Sequence, residues 1–509
     1  MDDTERKRVA KELTDERLLN DNPSFNKATS MVILKVDPIN YDNHQRKIDL
    51  NSSREKYLDL IKDKKWGDAS EVLVNHLLKF MKIYTTKDDQ KSEVWIYKDG
   101  IYIPQGKSEI KEYLRNMLGK YYSTFVYNMV IAKIEPDTYI DQDRFFSTNY
   151  SDEVPVQNGI LNIFTKELSQ FTPEKIFFNK MPIFYNPDSK CPNIKKHFKT
   201  ILRAESDSEV MFELFGYLLY KKYKIEKAAM FVGKGRNGKS KTLELMKHFI
   251  GATNCSNLPL AMMKSESFCI SELFGKMANL SGDLSHTDLK ETGTIKMLTG
   301  RDTIQAKRKF LKDLNFVNYA KLIFAANELP KVYDMSDGWW SRWILLEFPY
   351  KFLSDKDYFD LPEKERTNFR LMDPSILEDL TTPEELSGLL NESLIALNRL
   401  LDHGDFSYSK GTQEIKDLWI RQSDSFMAFC LDHVESGINE YLPKQELRKY
   451  YCLYCKKHKL RGCSDIAIRA SLQSLFGADE SQKTIIIDDK YKEIERVWVG
   501  IKLKNLEGI

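Results

Sequence analysis

An apolar run that passes into a glycine-rich loop and then into an apolar-periodic helix constrains this chain more than any other stretch. It reads Ala228-Ala229-Met230-Phe231-Val232-Gly233-Lys234-Gly235-Arg236-Asn237-Gly238-Lys239-Ser240-Lys241-Thr242-Leu243, with Leu245, Met246 and Phe249 following at helical spacing. The pattern is G-x-x-x-x-G-K-S between a strand and a helix. Gly233, Gly235 and Gly238 let the backbone turn tightly and aim its N–H groups inward. The helix N-terminus adds partial positive charge where phosphates would sit. Lys239 is expected to reach the β- and γ-phosphates of ATP and Ser240 to ligate Mg²⁺, with Arg236, Asn237 and Lys241 completing the loop. The plainer alternative, a glycine-rich turn with an incidental lysine, fits the strand–loop–helix context poorly.

The surroundings suit such a loop. From 226 to about 350, short apolar strands alternate with helices, the signature of an α/β core with a parallel sheet. The 509 residues divide into a charged segment 1–65, a mixed α/β unit 66–192, a helical connector 193–225, the core 226–352, a helical stretch 353–425 and a last block 426–509. In the second unit, Val94 to Pro104 reads as two strands around Asp99-Gly100, and Val156 to Ile163 as a hairpin around Asn158-Gly159. Hydrophobic residues at 42% and charged residues at 30% exclude a wholly disordered or fibrous chain. No apolar run nears the roughly 18 residues of a membrane span. Seven scattered cysteines suggest a reducing, cytoplasmic compartment. Lys and Arg number 77 against 75 acids, so any basic surface must be local.

Three later features ask what the nucleotide is for. The run Lys276 to Gly282 ends at Asp283, which is expected to hold Mg²⁺ or polarise water; a strand-end turn cap is the alternative. The run Tyr319 to Ala326 ends at Asn327, which beside the phosphate strand would orient water near the γ-phosphate. Alone, an Asn there is a turn former. Arg342 stands before another buried-type strand, Trp343 to Phe348. It is expected to reach a neighbouring subunit's ATP as an arginine finger, or else to stack among Trp339, Trp340 and Trp343.

In this order the motifs resemble the superfamily 3 helicases, in the phage/plasmid and poxvirus-type primase–helicase branch. Carrying the resemblance are Lys296-Met297-Leu298-Thr299-Gly300-Arg301-Asp302, the cluster Lys307-Arg308-Lys309-Phe310, Ala325-Ala326-Asn327-Glu328-Leu329-Pro330 and Trp339-Trp340-Ser341-Arg342. The resemblance covers roughly 66–509 and implies an AAA+-like P-loop ATPase that forms a hexameric ring on single-stranded or forked DNA. It implies 3′→5′ translocation, a setting of prokaryotic or viral replication, and a separate primase or polymerase as partner. Relatives often carry a primase first; the roughly 65 residues ahead of the resembling region are too few for one, so priming is not expected. By the same analogy Lys307, Arg308 and Lys309 lie at a hairpin in the DNA channel; a solvated charge run is the alternative. Lys296 and Asp302 receive no role from physics.

The last block looks like the family's C-terminal winged helix. A helix is expected from Tyr441, a second from Ser464 to Phe476, then a β-wing through Thr484–Ile487 and Val497–Ile501. Lys456, Lys457, Lys459 and Arg461 form a basic patch that either meets duplex phosphates or is a solvated helix end. Cys452 and Cys455, with His458 and Cys463 nearby, raise zinc, but the spacing favours helix packing. The expected activity is an ATP-driven DNA helicase; a DNA-binding initiator switch or a protein remodeller is the rival.

Overall fold

A computed structural model of the chain describes residues 43–88, 92–147, 150–263, 268–282, 289, 291–307, 313–458, 460, 462–487 and 491–504. It begins with two helices, α1 (Asn43–Lys62) and α2 (Trp66–Phe80). In α2 the spacing of Leu73, Val74, Leu77 and Phe80 gives one buried face. Strands β1 (Ile83–Thr86), β2 (Val94–Lys98) and β3 (Ile101–Ile103) follow, then α3 (Gly106–Leu118), α4 (Thr124–Asp137) and β4 (Tyr139–Ile140). The sheet order is β3-β2-β1-β4. Asp99 (φ 51°) and Gly100 (φ 89°) form the turn between β2 and β3, the left-handed pair that a two-residue hairpin needs.

A small meander follows: β5 (Glu153–Val156), β6 (Gly159–Asn162) and β7 (Leu168–Ser169). Its turn is Gln157-Asn158, one residue earlier than expected, because Gly159 already pairs with Val156. A Cβ on Gly159 would lie 2.5 Å from the Ser169 carbonyl oxygen, so this strand position needs glycine.

Helices α5 (Pro192–Ile201) and α6 (Glu205–Leu219) lead into the central unit. Its elements are β8 (Ala228–Val232), α7 (Lys239–Ile250), β9 (Cys255–Ser256), β10 (Ala278–Ser281), α8 (Gly293–Thr299), the hairpin strands β11 (Thr303–Ala306) and β12 (Leu314–Val317), β13 (Lys321–Ala326) and β14 (Trp343–Glu347). The five-stranded sheet runs β14-β8-β13-β10-β9 and is parallel throughout. Every residue of β8 and β13 is buried, and apart from Lys321 at the start of β13 these strands read as continuous apolar runs. The pleat still divides them. Ala229, Phe231, Ile323, Ala325, Ile344 and Leu346 join one core with α5, α6 and α7. Ala228, Met230, Leu322, Phe324, Trp343 and Leu345 join a second core with Trp339, Trp340 and Trp419.

After the sheet come the parallel pair β15 (Lys351–Leu353) and β16 (Phe369–Leu371), the long helix α9 (Pro383–His403) and α10 (Thr412–Ser423). Helix α9 clamps back on the entry to the central unit. The Glu385 carboxylate accepts the Asn193 and Ile194 N–H groups, both at 3.1 Å, and so caps α5 from 192 and 191 residues away. Asn391 donates to the carbonyls of Asn186, Pro187 and Ser189. A Cβ on Gly388 would lie 2.2 Å from the Lys190 carbonyl carbon, so the backbones touch there.

The chain ends with α11 (Ser425–His433), β17 (Val434–Pro443), α12 (Lys444–His458), α13 (Asp465–Phe476), β18 (Asp479–Ile487) and β19 (Tyr491–Leu503). The sheet order is β17-β19-β18. The first expected helix does not start at Tyr441: Tyr441 to Pro443 pair with Val497 to Val499, and the helix begins at Lys444. Among the described residues no helix is long and apolar enough to cross a membrane, and no three His, Cys, Asp or Glu side chains are grouped to hold a metal.

Candidate nucleotide site at the carboxyl end of the central sheet

Strands β8 and β13 end side by side, and the loops that leave them meet. The Gly233 N–H donates to the Ala326 carbonyl at 3.3 Å, and the Phe348 N–H donates to the Val232 carbonyl at 2.7 Å. The loop 233–238 then curls over the sheet edge. Gly235 (φ 64°), Arg236 (φ 49°) and Gly238 (φ 93°) hold the left-handed conformations that reverse its direction. A Cβ on Gly233 would fall 1.9 Å from Asn237 Nδ2 and 2.5 Å from the Phe348 oxygen, so that position admits only glycine.

Lys239 opens α7 and points back under the loop, 5% exposed. Its Nζ donates to the Gly233 carbonyl at 2.5 Å, to Asn237 Oδ1 at 3.0 Å and to Asn327 Oδ1 at 3.1 Å. Asn237 donates to the Phe348 carbonyl at 3.2 Å and is itself buried. Two signals 88 residues apart thus converge on one ammonium group. Ser240 and Lys241 lie exposed in the first turn of α7, and Lys241 pairs with Glu244 at 2.9 Å. Asp283 lies outside the described residues, as do Arg308, Lys309, Lys459 and Arg461; β10, which leads toward Asp283, lies next to β13.

A cavity of about 610 Å³ adjoins the loop at Arg236, Gly238 and Lys241. Helix α5 supplies Lys196, His197 and Thr200 to one wall; Phe352, Leu371, Met372 and Ile376 supply an apolar one. His197 is 7% exposed, its Nε2 has no partner, and burial pushes the imidazole down to about 4. It is neutral at pH 7. Arg370, on β16, stacks its guanidinium 3.7 Å over the Tyr350 ring.

Arg342 stands elsewhere, at the amino end of β14 and the opposite sheet edge. Its side chain, 16% exposed, forms an ion pair with Glu226 at 2.9 Å and donates from Nε to Thr299 Oγ1 at 3.1 Å. It also donates to the Gly338 carbonyl. Lys307 is exposed just beyond β11.

The motif around Lys296 now has a physical account. Lys296 Nζ donates to Asp334 Oδ2 at 2.6 Å, and Thr292 and Ser336 also donate to that carboxylate. Burial alone would raise the Asp334 pKa, but these donors hold it well below the usual carboxylate range. Helix α8 is therefore tied to the loop that follows Asn327. Thr299 receives Arg342, and a Cβ on Gly300 would lie 2.7 Å from the Lys296 carbonyl oxygen. Sequence reasoning missed His197, Glu226, Asp334 and Lys321. Beside near neighbours such as Ser336 and Tyr319, each has a partner from 38 to 116 residues away or, for His197, a cavity, and no local pattern marks them.

Comparison with known proteins agrees in direction. Residues 39–203 match a family model described as D5 N terminal like, and residues 231–342 match a family of unknown function (DUF5906). The second match runs from within β8, through the glycine-rich loop, to Arg342. Among curated proteins, the chain is 25% identical over 279 residues to "Putative helicase L207/L206" of Acanthamoeba polyphaga mimivirus, covering 52% of this chain and 29% of that protein. It is 23% identical over 297 residues to "Putative helicase V13" of Sputnik virophage, covering 56% and 36%. It is 26% identical over 259 residues to "Putative helicase 184R" of Invertebrate iridescent virus 6, covering 45% and 25%. The chain therefore spans about a third or less of the curated relatives it matches. Over about half its own length it is similar to viral proteins named as helicases.

Proposed function

We propose that this protein is an ATP-dependent replicative DNA helicase that translocates on single-stranded DNA as a ring and serves the replication of a virus, plasmid or mobile element. The observation that carries the reading is Lys239 Nζ held 3.1 Å from Asn327 Oδ1 at the carboxyl ends of neighbouring parallel strands. A lysine held by one carbonyl and two amide oxygens is poised to exchange them for phosphate oxygens. The freed Asn327 amide is then placed to orient the attacking water. The left-handed Gly235 and Gly238 let the loop turn back over the amino end of α7, where its N–H groups can meet phosphates, and the absence of a side chain at Gly233 lets Asn237 and the Phe348 carbonyl pack against it. Ser240 and Asp283 would hold Mg²⁺, which when bound neutralises charge on the β- and γ-phosphate oxygens. The nucleoside enters the cavity beside Gly238, where the neutral His197 meets the base.

Lys307, with Arg308 and Lys309, contacts the strand from the β11–β12 hairpin, and Arg342 completes a neighbour's site. The order helix–strand–helix–helix–strand–strand from α11 to β19 supports a winged helix that presents Lys456 and Lys457 to duplex phosphates. One observation favours the rival switch or remodeller: Arg342 is engaged within its own chain by Glu226 and Thr299. A finger acting between subunits must leave Glu226.

Strand displacement on forked DNA tests the reading. Displacement with ATP, absent in Lys239→Ala, is expected. DNA-stimulated hydrolysis without displacement would replace the motor with the switch; stimulation by protein alone would favour the remodeller.

A further inference from the structure

A second cavity, of about 640 Å³, lies at the amino end of the same sheet. Its floor is the root of the β11–β12 hairpin, where Thr303 pairs with Val317. One wall is the segment Tyr220-Lys221-Lys222-Tyr223-Lys224, and another includes Phe146 of the short helix Gln142–Phe146. The lining carries four basic residues, Lys221, Lys222, Lys224 and Arg301, against one acid, Asp143. Aromatic rings interleave with them, Phe274, Phe316 and Tyr319 among others.

Among the described residues no carboxylate lies within 4 Å of Lys221, Lys222 or Lys224, although Lys224 donates to the Leu401 carbonyl at 3.2 Å. Lys222 is exposed. Arg301, 60% exposed, comes only to 4.0 Å of Glu226, which Arg342 already holds at 2.9 Å. Lys221 sits 4.6 Å over the Phe177 ring, and burial pushes its ammonium down to about 7 against a weaker pull from Glu153. An anion beside Lys221 would restore its charge. The wall is also rigid. Lys321, 3% exposed, donates to the carbonyls of Tyr220 (2.7 Å), Lys222 (3.1 Å) and Tyr319 (2.7 Å). A fixed basic rim over an aromatic lining fits a flexible polyanion with exposed flat rings.

We propose that this cavity is a binding site for single-stranded nucleic acid, separate from Lys307 just beyond β11. An unstacked base enters among Phe274, Phe316 and Tyr319, and the flanking phosphates lie against Lys222, Lys224 and Arg301. The cavity is within the roughly 300–1,000 Å³ typical of ligand clefts, with room for one nucleotide. The proposal rests on the helicase reading only in naming a single strand as the partner.

Fluorescence anisotropy with labelled oligothymidylate of about twenty residues, longer than one typical contact site, tests it on the full chain. The double variant Lys222→Ala/Lys224→Ala changes side chains only, leaving the carbonyl that Lys321 holds, and its melting temperature checks the fold. It is expected to bind at least about five-fold more weakly, with a salt slope lower by roughly 1.4, at about 0.7 per lost phosphate contact. An abasic strand of equal length should bind the unaltered protein more weakly than oligothymidylate. Unchanged affinity and slope in the double variant, while Lys307→Ala weakens binding, would overturn this site and leave the helicase reading standing. Equal binding of abasic strand would overturn the base contact. No single-strand binding by the unaltered protein would overturn both.

Discussion

Two lysines lie buried at opposite ends of one sheet, and their surroundings differ in kind. Lys239 at the carboxyl edge is 5% exposed and Lys321 at the amino edge is 3% exposed. Among the described residues each donates three hydrogen bonds. Lys239 bonds one carbonyl of a glycine-rich loop and two side-chain amides, which can rotate away. Lys321 bonds three backbone carbonyls and lies 4.4 and 4.9 Å from the rings of Tyr217 and Tyr223. Burial pushes its ammonium well down, yet its donors are all used. A cation with replaceable partners is suited to a ligand; one with backbone partners and aromatic faces is a staple. Burial of charge alone does not mark a site; the exchangeability of its partners does.

The largest way to break this contrast is to remove each lysine. Lys239→Ala should slow ATP hydrolysis at least ~100-fold, as loss of a preorganised donor does, with little change in melting temperature. Steady-state turnover and thermal melting on the same sample check this. Lys321→Ala should instead destabilise the fold by about 3 kcal/mol, since three buried carbonyls lose their donor. Denaturant unfolding that finds it as stable as the parent would erase the distinction.

A smaller effect sharpens it. His197 borders the cavity beside the glycine-rich loop, with its pKa at about 4 through burial, below the ordinary 6.5. The unfolded chain therefore takes up the proton first as pH falls. The stability from neutral His197 is complete above about pH 6.5 and is lost toward pH 4, about 2 kcal/mol of it between pH 7 and 5. His197→Leu should flatten that part of the pH–stability curve, and in nucleotide titrations at pH 7.5 weaken ATP but not inorganic tripolyphosphate. The smallest effect concerns Arg342. Alone, Arg342→Ala should lose about 1 kcal/mol of stability with its Glu226 pair and Thr299 bond. Mixed with Lys239→Ala subunits, it should regain a few-fold in hydrolysis over either alone, if intact sites form at shared interfaces. No regain would confine Arg342 to its own chain.

The two edges also differ in how far the chain's own letters disclose them. The meeting of the glycine-rich loop with Asn327 at the carboxyl edge was legible because its signals are local: three glycines, a lysine and a serine within eight residues, with Asn327 after a buried run. Parallel strands were legible for the same reason, since β8 and β13 are buried on both faces and, apart from Lys321, read as unbroken apolar runs. The amino edge was not. Lys321 looks like any strand-flanking lysine, and its partners at Tyr220 and Lys222 arrive from about 100 residues away. Likewise β17 escaped notice because Glu435, Gly437, Asn439 and Glu440 interrupt its apolar alternation, and only pairing with β19 makes it a strand. The cavity lining at His197 and Met372 comes from segments on either side of the sheet, which no window of sequence joins.

The clamp of α9 on residues 186–194 has a mechanical meaning. Glu385, Ser387 and Asn391 grip the backbone where the chain enters the central unit, and Gly388 lets the two backbones touch. Entry and exit are thereby fastened to each other. A pull on the chain ahead of residue 186 would load this grip in shear before it reaches β8 and the loop it carries. The loop at the carboxyl edge of the sheet would then carry less of that tension than the grip does, and the central unit could be strained at its ends without being pried open in its middle.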